Sequence, residues 1–171
     1  GFSINAEMYN SIMTTCSNSG DVETALKWKA VMQADSIQPT SVTYTILIAA
    51  CGAARDLSKA KELFHEMINS NVSVTILSYN ALLDASNKCM DYEEGMKIFE
   101  EMRSRVAEPS SKVQPDVETF NTMIDLCQKV GKSEEARRLF NEMQASGLSP
   151  NDRTHKLVES HCGTTNVNHM Q

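Results

Sequence analysis

Apolar residues along this chain recur in short stripes at helical spacing, separated by brief polar breaks. Phe120, Met123, Ile124 and Cys127 lie at i, i+3, i+4 and i+7, one face of an α-helix. After Val130, Gly131 and Lys132 the same spacing restarts at Ala136, Leu139, Phe140 and Met143. An earlier segment carries both stripes again, with Tyr44, Leu47, Ile48 and Cys51 followed by Ala60, Leu63, Phe64 and Met67. Each unit is therefore expected to be two helices joined by a short turn. Such a hairpin cannot bury both of its faces alone, so successive copies must stack.

The stripes share a period. Tyr9, Tyr44, Tyr79, Phe120 and His155 stand 35, 35, 41 and 35 residues apart. Ala25, Ala60, Gly95 and Ala136 keep that spacing, as do Met32, Met67, Met102 and Met143. Cys16, Cys51, Cys127 and Cys162 share one place in the unit, held by Ser86 in the third copy. The resulting register runs 6-40, 41-75, 76-116 and 117-151, with a partial copy or capping helix over 152-163 and a frayed tail over 164-171. The six extra residues of the third copy fall in a polar stretch near 105-112, read as an exposed loop. Asp21, Asp56, Asp91 and Ser133 stand where they would cap the second helices, and Asp91 with Glu94 has capping-box spacing. Pro39, Pro115 and Pro150 close three units, where no amide donor is needed. The expected fold is all-α, an α-solenoid of stacked helix-turn-helix repeats.

Charge narrows the function. The formal net charge of the 171 residues is -6 and the sequence pI about 5.2, so nucleic acid cannot be held by overall charge. The most apolar stretch, Val42 to Ala54, is too short to span a membrane. The start shows neither a signal-peptide core nor an Arg-rich transit pattern, and the chain reads as a mature or truncated piece. Five dispersed cysteines point to reduced thiols rather than a disulfide framework. The aromatic and methionine stripes are read as core, and the pairs Glu93-Glu94, Glu100-Glu101 and Glu134-Glu135 as solvated helix faces. His161, Cys162 and His169 fit no standard zinc spacing. No Gly-rich phosphate loop, nucleophile elbow or deaminase signature occurs. No catalytic residue, metal, cofactor or small-molecule substrate is expected, although the segment could be the targeting arm of a larger enzyme.

The wording of the repeats is specific. Val117-Glu-Thr-Phe-Asn-Thr-Met-Ile-Asp125, Gly131-Lys-Ser-Glu-Glu-Ala-Arg-Arg-Leu-Phe-Asn-Glu-Met143 and Gly147-Leu-Ser-Pro-Asn151 together resemble a pentatricopeptide repeat, as does Val42 to Ile48 with Ala60 to Met67. The resemblance covers about residues 6 to 162. It implies an organellar protein, mitochondrial or chloroplast, that binds single-stranded RNA one base per repeat. It also implies that the fifth residue of each first helix and the last residue of the repeat read the base edge. Those pairs are Asn10 with Thr40, Thr45 with Thr75, Asn80 with Asp116, and Asn121 with Asn151. Asn80 with Asp116 matches a uridine-type pair and Asn121 with Asn151 a pyrimidine-type pair, while Thr40 and Thr75 depart from the usual residues and receive no base. Val42 and Leu77 fill the base-sandwiching place, where Glu7 and Glu118 are unsuited. Lys88 and Lys129 fill a phosphate-contacting place that Asn18 and Ala53 leave empty. The alternative expectation, favoured by the acidic balance, is a protein-interaction scaffold inside an organellar ribosome or transcription complex.

Overall fold

The computed structural model describes residues 5-106 and 113-159, and every regular element among them is an α-helix. First helices are α1 (Ala6–Ser19), α3 (Ser41–Ala53), α5 (Ile76–Cys89) and α7 (Val117–Lys129). Each is followed by a second helix: α2 (Val22–Ala34), α4 (Leu57–Asn69), α6 (Tyr92–Val106) and α8 (Ser133–Ala145). A further first helix, α9 (Asp152–Glu159), follows α8. The chain is an all-α helical-repeat solenoid. Part of the expected loop near 105-112 is helix instead: Arg105 lies in the last turn of α6, where it pairs with Glu101 one turn earlier at 3.6 Å. The remainder of that loop (107-112), residues 160-163 with Cys162 and His161, and the 164-171 tail with His169 lie outside the described residues.

Local chemistry starts each helix. Asp21, Asp56 and Asp91 accept from the amides of Thr24, Lys59 and Glu94 at 3.0, 2.9 and 3.0 Å, filling N-cap roles. Two expectations are corrected here. The N-cap of α8 is Lys132, with no side-chain cap bond, and Ser133 is already the first helical residue. Glu94 does not complete a capping box, because its carboxylate turns to Lys61 at 2.6 Å and to Lys97 at 3.6 Å. Full boxes occur instead at the first helices, as Thr40 with Thr43, Thr75 with Ser78, and Asp116 with Thr119. The turn after each first helix passes through one left-handed residue, at Gly20, Arg55, Met90 and Gly131, with φ of 69, 58, 57 and 77°. The next amide closes that turn, as Asp56 N–H does onto the Cys51 carbonyl at 2.9 Å.

Packing explains the curve of the stack. Each first helix lies against the first helix of the next repeat, whereas no two second helices bring described Cα atoms within 8 Å. The row in tighter contact forms the inside of a superhelix, so first helices line the concave face. Small residues permit the close approach: a Cβ placed on Gly52 would sit 3.2 Å from the Ala85 Cα. Along the back, long side chains bridge the splayed second helices, pairing Lys29 with Glu66, Lys61 with Glu94, and Arg103 with Glu142.

The periodic aromatics and methionines are core. Tyr9, Tyr44, Tyr79 and Phe120 are buried, and Met32, Met67, Met102 and Met143 are inaccessible. Each such side chain contributes roughly 1.5–3 kcal/mol of transfer free energy. The tyrosine hydroxyls reach carboxylates on, or just past the end of, their own second helices. Tyr9 donates to Asp35, Tyr44 to Glu66 at 3.1 Å, and Tyr79 to Glu101 at 2.7 Å. Glu94, Glu101 and Glu66 are thus structural partners rather than simply solvated. Cys51 and Cys127 are buried free thiols, and burial pushes both up to about 11. Cys16 is only partly covered.

In the fourth repeat Phe120 has no hydroxyl to offer the equivalent Glu142, and a cleft of about 340 Å³ opens there, lined also by Arg103 and Leu148. Phe120→Tyr should therefore raise stability by up to about 1 kcal/mol, while Tyr79→Phe should lower it by about 0.5–1.5 kcal/mol. Urea unfolding of the two variants checks the opposite signs.

Candidate nucleic-acid interface

Five first helices side by side place one register position per repeat along a single concave row. The residue that ends each repeat is also the N-cap of the next first helix, and capping decides which of its atoms remains available. Asp116 Oδ1 accepts from the Thr119 amide at 2.8 Å and from Asn80 Nδ2 at 3.2 Å, and lies 2.9 Å from the Thr119 hydroxyl oxygen. The Thr119 hydroxyl also lies 2.7 Å from Asn80 Oδ1. One carboxylate oxygen of Asp116 is thereby consumed, leaving Oδ2 as an acceptor beside the second Asn80 N–H.

The fourth pair is joined in the same way with different chemistry. Asn121 Nδ2 donates to Asn151 Oδ1 at 3.3 Å, and that oxygen also accepts from the Thr154 amide and hydroxyl, both at 3.0 Å. Asn151 keeps its Nδ2 hydrogens, so this pair offers a donor where Asp116 offers an acceptor. Asn80 is partly exposed, but Asn121 is fully buried.

The first two pairs are not joined. Asn10 Oδ1 accepts from the Thr43 hydroxyl at 2.9 Å, and Thr40 meets Asn10 only through Thr43, at 3.3 Å between the two hydroxyls. Thr45 donates back to the Ser41 carbonyl at 2.8 Å and does not engage Thr75. Thr40 and Thr75 spend their hydroxyls within capping boxes. Sequence reasoning missed the buried hydroxyls of Thr43, Ser78, Thr119 and Thr154: Thr43 and Thr119 reach the preceding first helix at Asn10 and Asn80, while Ser78 and Thr154 bond the local N-cap residues Thr75 and Asn151. Their recurrence at the repeat spacing was the available signal.

Val42 and Leu77 project from the same row, 54% and 63% exposed, unusually open for large apolar side chains. Lys88 and Lys129 stand near the ends of α5 and α7, but each is paired with an aspartate one turn earlier, Asp84 and Asp125, both at 2.8 Å. Lys129 also donates to Asn87 Oδ1 at 3.1 Å, and Asn87 Nδ2 donates to Asp125 at 2.8 Å across the α5–α7 seam. The strip is therefore locally balanced in charge. Among the described residues no group of three or more His, Cys, Asp or Glu is arranged to hold a metal ion.

Family models match nearly all of the chain: the PPR repeat family over residues 4–53 and 115–162, the PPR repeat over 42–72, and the pentatricopeptide repeat domain over 62–112. No curated protein sequence matches. Among solved structures the chain is similar to the pentatricopeptide repeat protein PPR10 in complex with an 18-nt psaJ RNA element. That likeness has 24% identity, covers 92% of this chain and 22% of the other, and gives a TM-score of 0.81. PPR10 from maize matches at 23% identity over 92% of this chain and 27% of the other, with a TM-score of 0.58. The PPR domain of Arabidopsis thaliana protein-only RNase P 1 in complex with tRNA is 18% identical over 88% of this chain and 76% of that one, with a TM-score of 0.68. This chain spans about a fifth of PPR10. At these identities the likeness shows the fold.

The Asp125 network sets a pH dependence. Burial alone would raise the Asp125 carboxyl, but hydrogen bonds from Asn87 and Lys129 outweigh it and hold the group below its ordinary value. A carboxyl depressed in the fold stabilises above its unfolded value, near 3.9, and loses that contribution as pH falls through the lower folded value. Asp125→Asn should therefore cost about 1–2 kcal/mol at neutral pH. The difference from the unaltered chain should close below about pH 4, as followed by chemical denaturation across pH.

Proposed function

This chain belongs to the pentatricopeptide-repeat family, and on that footing we propose that it is a single-stranded RNA-binding module of an organellar, mitochondrial or chloroplast, RNA-metabolism protein. It acts by binding, with no catalytic step of its own. RNA lies along the concave row of first helices, one base per repeat, with its bases turned toward Asn80 and Asn121. The observation that carries this reading is the Asn80–Asp116 pair, joined at 3.2 Å with Asp116 Oδ1 consumed by capping. What remains is one acceptor next to one amide donor. That is the complement of uracil, whose N3–H donates and whose carbonyl accepts. The donor left on Asn151 suits the acceptor edge of cytosine or one uracil carbonyl. The exposed Val42 and Leu77, one repeat apart, supply apolar walls against which a flat base can stack. The RNA-bound relatives of this fold support the same reading.

One observation favours a second reading. The aspartate partners of Lys88 and Lys129 leave little free positive charge, which suits a protein-interaction scaffold within an organellar ribosome or transcription complex. A fluorescence-anisotropy titration against pooled short RNAs at two salt concentrations separates the two. RNA binding predicts saturation, a pyrimidine preference, and a shallow slope of roughly -1 to -2 in log affinity against log salt. Asn80→Ala and Asn121→Ala, shown folded by circular dichroism, should each weaken binding about three- to tenfold. A folded chain that binds no RNA at low salt would favour the scaffold.

A further inference from the structure

The second residue of each first helix forms its own row: Glu7, Val42, Leu77, Glu118 and Arg153. Its middle is apolar and open. At the far end, Arg153 Nη1 is ion-paired with Glu118 Oε1 across one repeat. Glu118 stands one turn before Asn121 on α7, and Arg153 two residues after Asn151 on α9. The ion pair therefore spans the mouth of the slot that Asn121 and Asn151 form.

What lies beneath the pair differs from the neighbouring slot. Asn80, flanked by Leu77 and Glu118, is partly exposed, whereas Asn121, flanked by Glu118 and Arg153, has no accessible surface. Asn80 Oδ1 accepts from the Thr119 hydroxyl at 2.7 Å. Asn121 Oδ1 is buried with no hydrogen-bond partner among the described residues, because the Thr154 hydroxyl donates to Asn151 instead. A buried carbonyl oxygen without a donor is an acceptor for something that enters from outside.

We propose that Glu118 and Arg153 form a clasp over the fourth repeat's slot, and that a pyrimidine nucleotide of single-stranded RNA enters when the clasp opens. The inference rests on the RNA-binding reading above. On opening, Asn121 Oδ1 accepts an N–H from the base edge, and the Arg153 guanidinium turns to the nucleotide's phosphate. Both clasp side chains are about half exposed, 54% and 48%, so their pairing in water is weak and the clasp yields readily. Glu118 thus tunes the fourth repeat by competing with RNA for Arg153.

The test is an anisotropy titration of a short fluorescein-labelled oligopyrimidine RNA with the full chain and three variants: Glu118→Gln, Glu7→Gln, and Glu118→Gln combined with Arg153→Gln. Glu7 occupies the same row and carries the same charge, but the next place in the row is Val42 rather than an arginine, so its variant measures the loss of charge alone. Glu118→Gln should tighten binding about two- to fivefold beyond Glu7→Gln. It should also steepen the salt slope by about 0.7, the increment for one further phosphate contact on a single strand. Adding Arg153→Gln should remove both gains. Equal effects of Glu118→Gln and Glu7→Gln, or gains that survive the loss of Arg153, overturn the clasp while leaving RNA binding intact. No binding by any folded variant overturns the RNA reading and the clasp together.

Discussion

The structure depends on one double use of a residue: the last side chain of each repeat is the N-cap of the next first helix. A helix start leaves amides without partners, and a capping side chain must supply an acceptor. Thr40, Thr75, Asp116 and Asn151 meet that demand and so anchor the start of each following first helix. Capping also fixes which atom of each side chain is left over. A threonine hydroxyl is used up, an aspartate keeps an acceptor, and an asparagine keeps a donor. Stability and base-edge chemistry are therefore set by the same few hydrogen bonds, and a change at these positions alters both.

The two faces of the stack solve different problems. Inside, first helices touch closely, helped by Gly52 against Ala85 and by the buried hydroxyls of Thr43 and Thr119. Outside, the second helices splay and their gaps are crossed by flexible ion pairs, while tyrosines of the first helices reach carboxylates within their own repeat. Lys29 shows how far this goes, being nearly buried between Glu66 and the Tyr44 ring, 5.1 Å from its centroid. An acidic chain can tolerate its charge because much of it is committed to such bridges. The concave strip follows the same economy, each lysine matched to an aspartate, so recognition there depends on hydrogen-bond edges more than on charge.

The repeat was legible because its signal is redundant. The stripes at Tyr44 and Phe120 and the column of methionines each point to helix pairs, and the aspartates at 21, 56 and 91 mark the second-helix starts. Where a position broke its column, the reading failed for a physical reason. Ser133 has the right chemistry for a cap but sits one residue late, and Glu94 finds a better partner in Lys61 than in the backbone. At the site, the Asn80–Asp116 and Asn121–Asn151 pairs were visible as residue types at a spacing. Their consumption by capping was not, since it depends on the rotation of an N-cap. The Asp84–Lys88 and Asp125–Lys129 pairs, one helical turn apart, were in plain view and change the charge of the strip. Glu118 and Arg153 meet only because the repeats stack, and no local pattern announces them.

The central claim is that the row of first helices, and not the back of the solenoid, receives RNA. Two-dimensional amide NMR of the labelled chain, titrated with a short oligopyrimidine RNA, tests it most directly. The account predicts shifts concentrated on the side-chain amides of Asn80, Asn121 and Asn151 and on the backbone of α5, α7 and α9. The second helices α4 and α8 should remain in place. Perturbations centred on those second helices, or a spectrum that RNA leaves unchanged, would contradict it.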